Sequence, residues 1–151
     1  MTEGSDIKTL TQCCPADLDE KIHDRLVLTA EERQRSRYRC QTEGGVEVLL
    51  NLPRGSALTE GDCLTTEAGD WWVQIGAKPE MLLCVQSKTP LDLLRAAYHL
   101  GNRHVPLELT AQTLKLSPDP VLREMLVHLG LTVTDTLEPF YPEPGAYGHL
   151  H

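Results

Sequence analysis

The hydrophobic period of this chain changes once, at Gly76-Ala77-Lys78-Pro79, and that change limits the folds open to it. Before the break, apolar residues recur every second position, as in half-buried strands. Val46, Val48, Leu50 and Leu52 form one such run, stopped by Pro53-Arg54-Gly55, and Trp71-Trp72-Val73-Gln74-Ile75 reads as another. Glu43-Gly44-Gly45, Gly61-Asp62 and Gly69-Asp70 supply turns between them. The Arg33–Arg39 segment alternates too, so Arg33, Arg35, Arg37 and Arg39 would line one strand face. Short strands with turns this frequent indicate a small antiparallel sheet or barrel-like domain. The stretch PADLDEKIHDRLVL before it is weakly patterned and reads as a helical turn or an irregular arm.

After the break the pattern mixes strands and helices. Met81 to Val85 is nearly all apolar, as suits a strand buried on both faces. Thr89 can cap a helix with Pro90 at its first position; Leu91, Leu94, Ala97 and Tyr98 then form its apolar stripe, and Gly101 is placed to end it. Val105, Leu107 and Leu109 alternate as a strand, and Thr113 to Leu116 makes the next. A second helix follows Ser117-Pro118-Asp119-Pro120, carries Val121, Leu122, Met125, Leu126 and Leu129 on one side, and meets Gly130 before a β-branched strand at Leu131–Thr134. The order βαββαβ is the split motif of ferredoxin-like folds. The expectation is therefore an α+β chain: an all-β N-terminal domain over 1–77, a ferredoxin-like domain over 78–142, and a tail over 143–151. With three prolines and two glycines in EPFYPEPGAYGHLH, the tail reads as an extended or flexible arm.

Composition excludes some functions and permits others. A net charge of −8 disfavours general nucleic-acid binding and favours attraction of cations. No apolar run reaches the roughly 18–20 residues that span a bilayer, and MTEGSDIKTL is not a secretory signal, so a cytoplasmic protein is expected. The five cysteines show no CxxC spacing, which suits free thiols in a reducing compartment. Cys63 and Cys84 fall in or near strands and read as buried small apolar residues. GxSxG, P-loop, GxGxxG and HExxH motifs are all missing, so no residues nominate themselves for catalysis and the chain is read as no enzyme.

Histidine is the residue type that carries chemistry here. His99 and His104 flank Gly101-Asn102-Arg103; on a continuous helix they would point about 140° apart, so they cannot chelate one ion as an i, i+4 pair does. His99 suits a packed or capping role near a helix end, and His104 falls just beyond it, facing solvent or a partner subunit. His149 and His151 form an H-x-H whose rings project to one side of an extended backbone and can reach one ion. Neutral imidazole suits nickel, copper and zinc. His23 and His128 have no ligand-spaced neighbour and read as surface or structural residues.

The segment YHLGNRHVPLEL resembles the signature of the UreE family, urease accessory proteins that act as nickel metallochaperones. LLNLPRGSALTEGD, VQI, GLTVT, EPF and GAY match further family features in order, so the resemblance covers about Val46 to Tyr147. It implies a β-rich N-terminal domain for partner binding and a ferredoxin-like domain that binds metal and dimerises. It also implies that His104 is the metal ligand at a homodimer interface, where a two-fold axis makes a pair from one histidine per chain. Histidines that some members carry before the second helix are replaced here by Ser117-Pro118-Asp119-Pro120, and the long His-rich tail of others is reduced to His149 and His151, either of which closes over the His104 pair.

The resemblance therefore leads to an expected carrier that delivers Ni²⁺ to apo-urease, with zinc or copper compatible with the same donors. Its expected partners are a second copy, or a higher oligomer, and the urease accessory GTPase with apo-urease; nucleic acid and membrane are not among them. The competing expectation is a metal-independent adaptor of urease assembly that uses the arginine-lined strand as its contact.

Overall fold

A computed structural model describes residues 7–14 and 21–144. The chain divides between Lys78 and Pro79 into two compact units. Among the described residues the first holds seven strands: β1 (Lys8–Leu10), β2 (Gln12–Cys14), β3 (Asp24–Leu28), β4 (Arg37–Gln41), β5 (Glu47–Asn51), β6 (Cys63–Thr65) and β7 (Trp72–Ala77). They form a three-stranded sheet in the order β1-β5-β4 and a four-stranded sheet in the order β2-β6-β7-β3. One residue, Thr11, separates β1 from β2, so the chain passes there from one sheet to the other. Leu10, Leu26, Val48, Leu50, Leu64 and Ile75, drawn from both sheets, share one core, each fully buried or nearly so.

Two sequence expectations change in this unit. DRLVL, expected within a helical turn or arm, is β3, which pairs in parallel with β7 through Leu26↔Ile75 and buries Leu26 and Leu28. The arginine-lined face forms only in its second half, with Arg37 and Arg39 exposed two residues apart on β4. Arg33 sits in a 3-10 turn (Glu32–Gln34), buried, with its guanidinium donating to the Leu28 carbonyl at 3.0 Å. Arg35 precedes β4, pairs with Glu31 and stacks over the Tyr38 ring, while Arg39 pairs with Glu47 on the neighbouring strand.

That turn is held by a reciprocal pair. The Glu32 N–H donates to Thr29 Oγ1 at 3.2 Å, and the Thr29 N–H donates to Glu32 Oε1 at 2.8 Å, the pattern of a capping box. The Tyr38 hydroxyl donates to the other Glu32 oxygen. Burial alone raises the Glu32 pKa, but the hydrogen bonds from Tyr38 and Thr29 outweigh it and hold the carboxyl below its ordinary value of 4.5.

The second unit runs β8 (Pro79–Gln86), α1 (Pro90–Asn102), β9 (Glu108–Leu109), β10 (Leu114–Leu116), α2 (Pro120–His128) and β11 (Thr132–Pro139). Its sheet has the order β11-β8-β10-β9 with every neighbour antiparallel. Both helices start as expected. Thr89 Oγ1 accepts from the Asp92 N–H, Asp119 accepts from the N–H groups of Val121 and Leu122, and a proline opens each helix. Leu93, Ala96 and Leu100 of α1 and Leu122 and Leu126 of α2 pack with Leu83, Val85, Leu114 and Leu116 on one sheet face. Each leucine buried this way contributes about 1.5–3 kcal/mol. Lys115, between Leu114 and Leu116, therefore projects from the opposite face, beside Glu108 and Glu138.

The apolar stripe expected to face the core of α1 faces outward instead. Leu91, Leu94 and Tyr98 are 53%, 67% and 67% exposed, and only Ala97 of that set packs partly inward. The true core stripe, Leu93-Ala96-Leu100, lies on the other side of the cylinder, so α1 is apolar on two faces. In α2, Val121 and Leu129 are likewise exposed, leaving Leu122 and Leu126 in the core with Met125 partly buried.

Because a depressed folded-state carboxyl stabilises above its unfolded pKa and loses that contribution as pH falls through the folded one, Glu32 supports the first unit above about pH 4.5 and not in stronger acid. Acid unfolding followed by circular dichroism should show Glu32→Gln losing stability near neutral pH but converging with the unmodified protein as pH falls well below the ordinary carboxyl value of 4.5. A parallel offset across the whole range would refute this role.

Candidate metal centre

The site begins with how α1 stops. Its capping residue is Arg103. The His104 N–H donates to the Gly101 carbonyl at 2.9 Å, and the Val105 N–H reaches back to the Leu100 carbonyl at 3.1 Å. These are the two bonds of a Schellman closure, and they require the residue between them to be left-handed. That residue is His104, with φ of 60°, the sole non-glycine with positive φ among the described residues. Gly101, expected in this position, is instead inside the helix.

The second helix supplies an internal comparison. Gly130 donates to the Val127 carbonyl at 2.9 Å and Leu131 to the Leu126 carbonyl at 3.1 Å, the same two bonds, with Gly130 at φ of 86°. One closure has glycine in the left-handed position and the other has histidine. The closure also needs an apolar residue next, to pack against the preceding turn. Leu131 is buried and Val105 packs against the core that holds Leu100. Were Gly101 the left-handed residue, that place would fall to polar Asn102. The left-handed conformation costs a side-chain-bearing residue about 1–2 kcal/mol, which the neighbouring contacts must offset.

His104 is exposed, and so is His99, which lies in the last turn of α1 with its ring edge-on to that of Tyr98, centroids 5.6 Å apart. His149 and His151 lie outside the described residues. His23 is bound into the first unit, its Nδ1 accepting from the Trp72 N–H at 3.1 Å, and His128 is exposed at the end of α2. Among the described residues, no three His, Cys, Asp or Glu side chains converge as a metal-holding group. Two of the thiols are poor donors: burial pushes Cys40 up to about 11, and burial with the nearby Asp62 charge raises Cys63, so both stay protonated at neutral pH. Cys63 is buried as expected, whereas Cys84 is only partly so.

The exposed stripe on α1 leads toward this turn. Leu91, Leu94 and Tyr98 are spaced three and four residues apart, and one further turn reaches Asn102, two residues short of His104. Beside the stripe runs an apolar groove lined by Leu93, Leu94, Ala97, Leu109, Ala111 and Leu114. Among the described residues, then, an exposed imidazole in a strained turn follows an exposed apolar helix face.

Comparison with known proteins agrees in kind. Family models described as the N-terminal and C-terminal domains of the UreE urease accessory protein match residues 7–73 and 80–151. A urease accessory protein UreE of Nostoc sp. is 54% identical over 143 residues, 95% of this chain and 97% of the relative. Those of Thermosynechococcus vestitus and Acinetobacter baumannii are 52% and 46% identical, covering 95% and 96% of this chain and 99% and 91% of their own lengths. The chain belongs to the UreE family of urease accessory proteins. Among the described residues no helix is long and apolar enough to cross a membrane.

The strain at His104 predicts an unusual mutant. His104→Gly should keep the fold and gain about 1 kcal/mol in denaturant unfolding, while Gly130→Ala at the matching position should lose about that much. A destabilised His104→Gly protein would mean that the imidazole itself holds the turn.

Proposed function

We propose that this protein is a nickel carrier for urease maturation, in which two copies meet through the second unit and hold one Ni²⁺ between their His104 imidazoles. The observation that carries the reading is the strained, exposed His104 set at the end of an apolar helix stripe that no other described residue covers. One histidine per chain is half of a site. A two-fold axis along the Leu91-Leu94-Tyr98 face brings the same turn of both copies together and covers apolar surface in the same step. Membership of the UreE family supports urease assembly as the setting.

The chain arithmetic accommodates the tail ligands as well. The Glu143 N–H donates to the Leu107 carbonyl at 2.6 Å, and Leu107 is only three residues past His104. His149 follows Pro144 by five residues, which extend to at most about 17 Å. His149 or His151 thus completes the site with donors that detach one at a time, as transfer of the ion to the accessory GTPase or apo-urease requires. Zn²⁺ and Cu²⁺ accept the same imidazoles, and selectivity rests on geometry and supply. Imidazole binds metal only when neutral, so acid weakens the site.

Titration calorimetry with Ni²⁺, with mass followed by light scattering, tests the proposal. The intact chain should take one ion per two copies. His104→Ala should remove that step and leave the dimer in place, and Leu94→Asp should weaken dimer and metal binding together. Unchanged nickel affinity in His104→Ala would remove His104 from the site.

A further inference from the structure

After β11 the chain does not leave the sheet at that edge. Phe140 is buried, and the segment that follows is tied to the opposite side of the sheet at two points. The Tyr141 N–H donates to Glu108 Oε1 at 3.0 Å, and the Glu143 N–H donates to the Leu107 carbonyl. In the order β11-β8-β10-β9 the two edges are three strand spacings apart, about 14 Å. The segment thus carries the chain from the edge farthest from the His104 turn to the strand that directly follows it.

Glu108 is equipped to hold that segment. Its side chain is only 16% exposed, and its Oε2 lies 3.7 Å from Lys115 Nζ, directly across the β9–β10 pair. Lys115 also donates to Glu138 Oε1 at 2.6 Å, and the Thr136 hydroxyl donates to the other Glu138 oxygen at 2.8 Å. One carboxylate oxygen therefore faces the lysine and the other is aimed at the Tyr141 amide.

We propose that Glu108, oriented by Lys115, is a positioning residue that straps Tyr141–Glu143 beside the His104 turn and so delivers the tail histidines to the metal. This inference rests on the tail-ligand part of the proposed function. Without the strap the tail would start at the end of β11, ten residues before His149 and on the far edge, whereas with it the tail starts at Pro144, five residues before. Doubling a flexible connection lowers the effective concentration of its end about three-fold, and the added distance lowers it further.

The test uses the full chain and Ni²⁺ alone, measured by competition with a chromophoric chelator. Glu108→Ala combined with Glu143→Pro, which removes the second N–H donor, should weaken binding roughly three- to ten-fold. That loss should fall part of the way to the value for a chain ending at Pro144. Glu108→Gln, which keeps an acceptor oxygen, should retain most of the affinity. Hydrogen exchange reads the strap without metal: the Tyr141 and Glu143 amides should be protected in the intact protein and in Glu108→Gln, and fast in the double variant. Unprotected amides in the intact protein would overturn the strap itself. Wild-type affinity in the double variant, with affinity lost on truncation at Pro144, would overturn its role while leaving the tail ligands standing. Truncation without effect would overturn the tail-ligand reading and this inference with it, leaving the His104 pair to be judged by His104→Ala.

Discussion

The bond from the Val105 N–H to the Leu100 carbonyl ties the core of the second unit to its working surface. Leu100 is fully buried among the sheet and helix leucines, so its carbonyl is fixed wherever the core fixes its side chain. Val105 is drawn to that carbonyl by hydrogen bond and apolar contact together. Between them the backbone has one way to turn, and His104 must take the left-handed conformation to make it. The position of the imidazole is thereby set by packing it does not share in. A glycine closes the matching turn on α2 at lower cost, as Gly130 does.

The second constraint is that α1 is apolar on both sides. One face satisfies the sheet; the other, Leu91-Leu94-Tyr98, is left exposed among the described residues. On the proposed function, a two-fold association supplies the second imidazole and covers this face in the same step. The strap at Glu108 follows the same logic at the other end of the chain, because it brings the start of the tail to the strand that leaves the His104 turn.

Much of this was legible in the sequence, and the failures have definite physical origins. Thr89-Pro90 and Asp119-Pro120 announce helix starts through local chemistry that tertiary context rarely overrides. The change of period at Gly76–Pro79 marks where the strand-rich unit gives way to the mixed one. Gly101 misleads because glycine permits a left-handed turn without requiring one; the deciding signal is the apolar residue that must follow, Val105 after His104 and Leu131 after Gly130. The stripe on α1 misleads because periodicity detects an apolar face and not which of two such faces meets the sheet. Alternating arginines suggest a strand face, but Thr29 and Glu32 close a turn that takes Arg33 out of register. Asp24 and Arg25 disguise β3, whose burial depends on its distant partner β7. The link from Tyr141 to Glu108 spans 33 positions and leaves no local trace.

The central claim is that the ion belongs to two chains at once. Native mass spectrometry of the nickel-loaded protein, diluted until monomer and dimer are both present, tests it most directly. The account predicts one nickel ion in the dimer and a metal-free monomer at the same free-ion concentration. Monomers carrying nickel in the same proportion as dimers would contradict it, and would place the site within a single chain.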